Sequence, residues 1–236
     1  MKRTLLGGAV AAGIITAALV FTVSAPAMAG TPAPKAPKTL AEIQTAGAKA
    51  TSDRIASLNK EIPKISSHAC ISDGDKSTIL GTLNSDLASM QTLAGEIAAD
   101  TDVASAAAHY KSIFDDYRVY AVAIPQAHYA AAADCITSKA IPALTAAQTK
   151  LTALLAGKDA GKSTPEIEAT MADLASQIAT ATSNTDGVAA AALAVTPASY
   201  NADHSALSSA KSSISTANAA LKAAKADIQA VVAALK

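Results

Sequence analysis

Apolar residues recur every three or four positions through most of the chain beyond residue 38. The C-terminal stretch has the most regular pattern, with alternating steps of three and four residues along Leu207, Ala210, Ile214, Ala217, Leu221, Ala224, Ile228, Val231 and Leu235. Such a repeat is typical of the seam of a left-handed coiled coil. The large residues of this seam are Leu207, Ile214, Leu221, Ile228 and Leu235. We predict that the seam packs against another helix, either within the chain or in a second copy of it.

Polar residues that favour helix ends divide the rest of the chain. Thr39 and Glu42 have the spacing of a capping box, in which each side chain binds a backbone N–H at the start of a helix. The stretch from Ser72 to Asp75 predicts a turn followed by the second helix. Asp100 to Asp102 predicts the end of that helix and the cap of the next.

Two Thr-Pro pairs mark further helix starts. Thr164 and Thr196 can each cap a helix, and the proline that follows occupies the first helical position, where its missing N–H does no harm. Between Asp102 and Thr164 the longest helical pattern runs from Tyr110 to Cys135 and continues to Leu155. Pro125 and Pro142 interrupt it, and we expect each to kink or divide the helix.

These patterns predict an all-α fold, because no stretch alternates apolar and polar residues as a strand would. Five or six helices joined by short turns favour an elongated antiparallel bundle with coiled-coil-like packing. We assign residues 39–236 to this bundle. It divides naturally into a part over 39–156 and a helical hairpin over 164–236.

The only two cysteines, Cys70 and Cys135, are predicted to form a disulfide. If the second and third helices form a hairpin that turns near residue 101, the rise of about 1.5 Å per residue places both cysteines at the same end. Two cysteines in an exported chain are usually paired. The alternative is two buried free thiols.

The N-terminal residues have the pattern of an export signal. Lys2 and Arg3 precede an apolar stretch, and Ala27-Met28-Ala29 has the small residues of a cleavage site. We therefore predict a signal peptide over 1–29 and a Pro-rich linker over 30–38. The protein would be secreted or held at the cell surface. The alternative is an uncleaved membrane anchor, since the apolar stretch is long enough to span a bilayer.

Composition narrows the classes of function. Cleavage would remove two basic residues and no acid, leaving 17 basic and 19 acidic residues, so nucleic acid is an unsuitable partner. The alanine-rich composition after a short export signal is typical of exported bacterial proteins. We find no pattern of a nucleophile with its base, of paired catalytic carboxylates or of a metal site. We therefore predict no catalytic residue, no metal and no cofactor.

Aromatic residues concentrate in one part of the predicted third helix. Residues of this group are Tyr110, Phe114, Tyr117, Tyr120, His128 and Tyr129. One interpretation is a core that gains apolar bulk from these rings. The other is an exposed recognition face, because tyrosine combines a rigid apolar ring with a polar tip. The sequence favours the core and leaves recognition as the second interpretation.

Together these observations predict an exported, non-enzymatic helical bundle that acts as a binding or scaffolding module at the cell envelope or outside the cell. Its partner would be another envelope protein, a cell-wall component or a second copy of the chain. The alternative is a carrier of lipid or of another hydrophobic ligand through amphipathic helices. Membrane contact is not favoured, because the polar faces carry more Ser and Thr than Lys and Arg.

Overall fold

The structure, a computed structural model, describes residues 39–236, and in that range the chain is helical without any strand. The predicted signal peptide and linker lie outside the described residues. The α-helices are α1 (Leu40–Ser67), α2 (Asp73–Ala99), α3 (Val103–Asp115), α4 (Ile124–Cys135), α5 (Ile141–Ala156), α6 (Pro165–Ser183), α7 (Val188–Leu193), α8 (Pro197–Ala202) and α9 (Ser208–Ala234). Helices α4 and α5 belong to one continuous helical segment, residues 119–156, which we call the rod. With the rod counted once, the described part contains six long helical segments, which confirms the predicted all-α bundle. None of the described helices is both long and apolar enough to cross a bilayer.

The predicted helix caps are present. Thr39 and Glu42 form the capping box at the start of α1, with the Thr39 N–H donating to Glu42 Oε2 at 2.9 Å. Asp102 caps α3 by accepting hydrogen bonds from the backbone N–H groups of Ala104 and Ser105, both at 2.9 Å. Thr164 and Thr196 cap α6 and α8, each followed by proline at the first helical position. These local signals fix where most of the helices begin.

Helical geometry continues through both prolines of the long rod. A five-residue π-helical turn precedes each of them, at Val119–Ala123 before Pro125 and at Ile136–Ala140 before Pro142. Proline cannot donate a hydrogen bond, and its ring crowds the carbonyl four residues earlier. The wider π turn accommodates this locally, so the rod is not divided.

The helix predicted from Tyr110 to Cys135 is broken at a place that the sequence did not indicate. Helix α3 ends at Asp115, and the rod resumes at Val119. Arg118 between them adopts a left-handed backbone conformation with φ of 49°. A side chain in this region carries a steric cost. The predicted continuity of the helix between Tyr110 and Pro125 was therefore wrong, because the apolar spacing continues across the break.

The first three helical segments run up, down and up. Helices α1 and α2 form an antiparallel hairpin, in which Gly47 of α1 lies against Ile97 of α2. A Cβ atom at Gly47 would come within 2.8 Å of the Ile97 side chain, so glycine permits this close approach. Ser57 of α1 contacts Tyr120, and Glu61, one turn further along α1, contacts His128 further along the rod. Helices α1 and α4 are therefore parallel neighbours.

Two groups of buried side chains form the core, and α4 contributes to both. The first lies among α1, α2, α3 and the start of the rod, and the second lies among α4, α5, α6, α7 and α9. Along α4, Ala127, Ala130 and Ala131 belong to the first group, whereas Ala132 and Ala133 belong to the second. A helix that is apolar on all sides is buried on all sides. The alanine run therefore lets helices pack against α4 from both directions.

The coiled-coil seam of α9 faces the interior of its own chain. Leu207, Ile214, Leu221 and Ile228 are buried in the second core group, and Leu235 is partly buried against it. The principal neighbour of α9 is the antiparallel helix α6. The seam is thus occupied within the chain.

Candidate functional site

The six residues of the predicted recognition face do not form one surface. Tyr110, Phe114, Tyr117 and Tyr120 are half-buried against the first core group. Tyr129 is buried in the second core group, where desolvation raises the pKa of its hydroxyl. His128 is half-buried and contacts α1. The structure therefore divides the group into a partly exposed aromatic cluster, a contact between helices and one core residue.

Arg54 of α1 lies at the centre of the aromatic cluster. Its guanidinium carbon lies 4.6 Å from the centre of the Phe114 ring and 4.9 Å from the centre of the Tyr120 ring. One guanidinium nitrogen, Nη1, donates to the carbonyl oxygen of Ala50 at 2.9 Å. Only 8% of the Arg54 surface is exposed to solvent, so these contacts are shielded from water. Desolvated cation–π contacts are stronger than exposed ones, about 2 kcal/mol compared with about 0.5 to 1 kcal/mol.

The charge on Arg54 is stabilised by rings, and within residues 39–236 no carboxylate lies within ion-pair distance of it. Burial lowers the pKa of Arg54, although Tyr120, Tyr110 and Asp53 act in the opposite direction. Its Nε atom is buried and has no hydrogen-bond partner in the described part of the chain. An arginine held this way keeps its charge and fixes the positions of the rings around it.

Contacts between the rings and to α1 complete the aromatic cluster. Tyr110 and Phe114 lie one turn apart on α3 and meet edge to face, with ring centres 5.2 Å apart. The Tyr120 hydroxyl lies 3.0 Å from Ser57 Oγ of α1, within hydrogen-bond distance. Phe114 and Tyr120 are thus held between Arg54 and their neighbours. We call Arg54, Tyr110, Phe114, Tyr117 and Tyr120 the aromatic face.

The same face of α1 continues to a second polar contact with the rod. Glu61 Oε2 lies 3.1 Å from His128 Nε2, and Glu61 Oε1 accepts a hydrogen bond from Lys64 at 2.7 Å. Burial raises the pKa of Glu61, but the hydrogen bonds from Lys64 and His128 outweigh it and hold this pKa below its ordinary value. The carboxylate therefore remains charged where α1 meets α4.

A third contact closes the end of this interface. The disulfide between Cys70 and Cys135 joins the α1–α2 connection to the last residue of α4, with Cα atoms 4.8 Å apart. His68 Nδ1 lies 3.3 Å from Cys70 Sγ and 3.8 Å from Cys135 Sγ. Sequence analysis placed the two cysteines together but did not place a histidine beside them.

A polar contact joins the break between α3 and the rod to helix α8. Arg118 Nε donates to the side chain of Asn201 at 2.7 Å, and the Asn201 amide donates to the backbone carbonyl of Asp115 at 2.8 Å. The guanidinium carbon of Arg118 lies 5.7 Å from the centre of the Tyr200 ring. This contact gives the break before Val119 a structural role, since it positions Arg118 against α8.

Comparison with protein-family models, with curated proteins and with solved structures finds no match for this chain. The function is therefore inferred from the geometry of the described residues. Arg54 was missed in the sequence, yet its position follows the three- and four-residue steps between the buried residues Thr51 and Leu58 of α1. A charged residue at a core position was the signal that could have identified it.

Proposed function

We propose that this protein is an exported, non-enzymatic binding module, and that the aromatic face is its contact surface for a protein partner at the cell envelope. The observation that carries the proposal is the set of half-buried aromatic rings assembled around the buried guanidinium of Arg54. Tyrosine and arginine are enriched among the residues that dominate protein–protein binding. The aromatic face presents half-buried tyrosines whose positions are fixed by a buried arginine.

Rigidity supports a binding role for these rings. Arg54 stacks against Phe114 and Tyr120, and Ser57 lies within hydrogen-bond distance of the Tyr120 hydroxyl. A side chain that is already held in place loses little conformational freedom when a partner binds, and an ordered side chain saves about 0.5 to 1.5 kcal/mol. The cluster therefore has the preorganisation expected of a recognition surface.

The way in which the rings are packed favours a protein over a glycan. Sugars stack on open faces of aromatic rings, but Arg54 covers one face of Phe114 and one face of Tyr120. The edge of one ring in the Tyr110–Phe114 pair also packs against the other. The half-buried tyrosines of the aromatic face combine an apolar ring with a polar hydroxyl, which suits the mixed apolar and polar surface of a protein.

Charged side chains around the aromatic face resemble the polar rim of such a surface. Lys49 pairs with Asp53 at 2.9 Å, and Lys111 and Arg118 both approach Asp115. Ion pairs at a protein surface contribute little to stability. Their alternating signs favour a partner with complementary charges over a uniformly charged polymer.

A capture experiment tests this proposal. The immobilised protein and its Tyr110→Ser variant are incubated with the envelope fraction of the producing cell, and retained proteins are quantified by mass spectrometry. Tyr200→Ser is the matched control, because Tyr200 is a half-buried tyrosine of α8 that is not part of the aromatic face and packs against His204 and Arg118. Circular dichroism verifies that both variants keep the helical fold.

We expect at least one envelope protein to be retained by the unchanged protein and by Tyr200→Ser but to be lost with Tyr110→Ser. Equal retention by both variants would refute the aromatic face as the contact surface. Binding to protein-free cell-wall material that depends on Tyr110 would instead identify a glycan partner and contradict the choice of a protein. Binding to liposomes that depends on Tyr110 would favour the lipid alternative.

A further inference from the structure

We propose that Cys70, Cys135 and His68 form a binding site for one Zn²⁺ ion when the disulfide between the two cysteines is reduced. The three ligand atoms, two sulfurs and one imidazole nitrogen, lie within 4.8 Å of one another. Thiolate sulfur and imidazole nitrogen are the ligands that Zn²⁺ prefers in proteins. No metal site was predicted from the sequence, because the approach of His68 to the two cysteines depends on the fold.

The distances from His68 already suit a zinc centre. Zinc–sulfur bonds of about 2.3 Å and zinc–nitrogen bonds of about 2.1 Å place nitrogen and sulfur about 3.6 Å apart in a tetrahedron. His68 Nδ1 lies 3.3 Å from Cys70 Sγ and 3.8 Å from Cys135 Sγ. Only the two sulfurs must move apart, and reduction removes the bond between them. A water molecule would complete the coordination.

Contacts that do not involve sulfur hold the ligands together after reduction. The Ser72 N–H donates to Asp134 Oδ2 at 2.7 Å, and the Ser138 hydroxyl donates to the carbonyl oxygen of Cys70 at 3.0 Å. Ile71, between the two attachment points on the connection, is buried in the first core group. The α1–α2 connection therefore stays against the rod when the disulfide opens, and both thiols remain beside His68.

The surrounding backbone can also accommodate the change. Cys70 belongs to the connection between α1 and α2, and Cys135 directly precedes the π turn Ile136–Ala140. Neither cysteine lies in the middle of a regular helix, so each sulfur can shift without disrupting α-helical hydrogen bonds. His68 and Cys70 are half-buried, which gives an ion access from solvent, whereas Cys135 is only 1% exposed.

The reaction requires a dithiol reductant. The dithiol transfers two electrons to the Cys70–Cys135 bond and becomes a disulfide, and its two thiol protons pass to the two cysteine sulfurs. Zn²⁺ then displaces both protons into solvent and binds two thiolates together with the neutral imidazole of His68. The oxidised protein is cross-linked by sulfur, and the reduced protein is cross-linked at the same place by the metal.

Zinc titration of the purified protein tests the proposal. The protein is reduced with a dithiol, freed of reductant without air, and titrated with Zn²⁺ in competition with a chromophoric chelator. Co²⁺ serves as a second probe, because its absorption reports bound thiolates. We expect one ion per reduced chain and no comparable site in the oxidised chain. Equal affinity in the two states would overturn the proposal.

Two histidine variants test whether the imidazole is a ligand. Loss of a group that merely supports a ligand lowers metal affinity by about 10- to 100-fold, so we expect His68→Ala to lower it by at least that factor. The matched control is His204→Ala, an exposed histidine between α8 and α9, which should leave the affinity unchanged. Unchanged zinc affinity in His68→Ala, with both cysteines intact, would refute the three-ligand site.

Discussion

Asp86 places a carboxylate in the core-facing row of α2. The buried residues of this helix are Ile79, Leu83, Met90, Leu93 and Ile97, and Asp86 fits their spacing three positions after Leu83 and four before Met90. Its Oδ2 atom is buried without a hydrogen-bond partner in the described part of the chain. Burial raises the pKa of Asp86 from 3.8 to about 6. We predict that Asp86→Asn stabilises the protein at neutral pH.

The magnitude follows from the two pKa values. The difference between 3.8 and about 6 corresponds to about 3 kcal/mol, at about 1.4 kcal/mol for each pH unit. Because the side chain keeps some contact with water, screening reduces this to about 1 to 2 kcal/mol. Between these pH values the folded state binds more protons than the unfolded state, so stability falls as the pH rises. The full penalty is present above about pH 7.

Denaturation in urea, followed by circular dichroism at pH 4, 5, 6 and 7, measures the effect. We expect Asp86→Asn and the unchanged protein to be similar near pH 4 and to diverge towards pH 7, with the variant more stable. Asp102→Ala should change stability in the opposite direction and destabilise the protein at neutral pH, because hydrogen bonds from Ser105 and Ala104 lower the pKa of Asp102. Its contribution is present above the unfolded pKa and is lost in acid. A stability difference for Asp86→Asn that does not change with pH would refute the reasoning.

Three further tests examine the packing, each by denaturant unfolding. Gly47→Ala should destabilise the protein by about 1 to 3 kcal/mol through overpacking against Ile97. Gly81→Ala, where a Cβ atom would meet open space, should instead stabilise α2 by up to about 1 kcal/mol. Equal effects of the two substitutions would contradict the close approach of α1 and α2. Reduction of the Cys70–Cys135 disulfide should lower the free energy of unfolding by about 4 kcal/mol while the helical spectrum persists, and loss of that spectrum would show that the remaining contacts do not hold the fold. Tyr120→Phe should cost about 1 kcal/mol through loss of its hydroxyl contact, and an unchanged stability would show that this contact contributes nothing.

Local signals and long-range register were sufficient to predict most of the fold. The capping box at Thr39, the caps at Asp102 and Thr164, and the pairing of Cys70 with Cys135 are all present. These features depend on neighbouring residues or on the constant rise of a helix, and both can be read from a sequence. The row of apolar residues in α9 predicted a seam, but its spacing could not distinguish a partner helix in the same chain from one in a second copy.

The candidate site depends on features that apolar spacing does not encode. Arg54 is buried because Phe114 and Tyr120 meet it from another segment of the chain, and a pattern within α1 contains no information on those rings. Likewise, Arg118 adopts its left-handed conformation where its side chain meets Asn201 of α8, which lies 83 positions later in the sequence. The sequence therefore located the aromatic residues but not the cation that organises them.

Site-specific photo-crosslinking tests the central claim, that the aromatic face is the binding surface, most directly. A photoreactive phenylalanine analogue replaces Tyr110 in one version of the protein and Tyr200 in another, so that both carry an aromatic side chain of similar size. Each version is irradiated with the envelope fraction and examined for covalent adducts. We predict a discrete protein adduct from position 110 and none from position 200. The absence of an adduct at position 110, or the same adduct from both positions, would contradict the account.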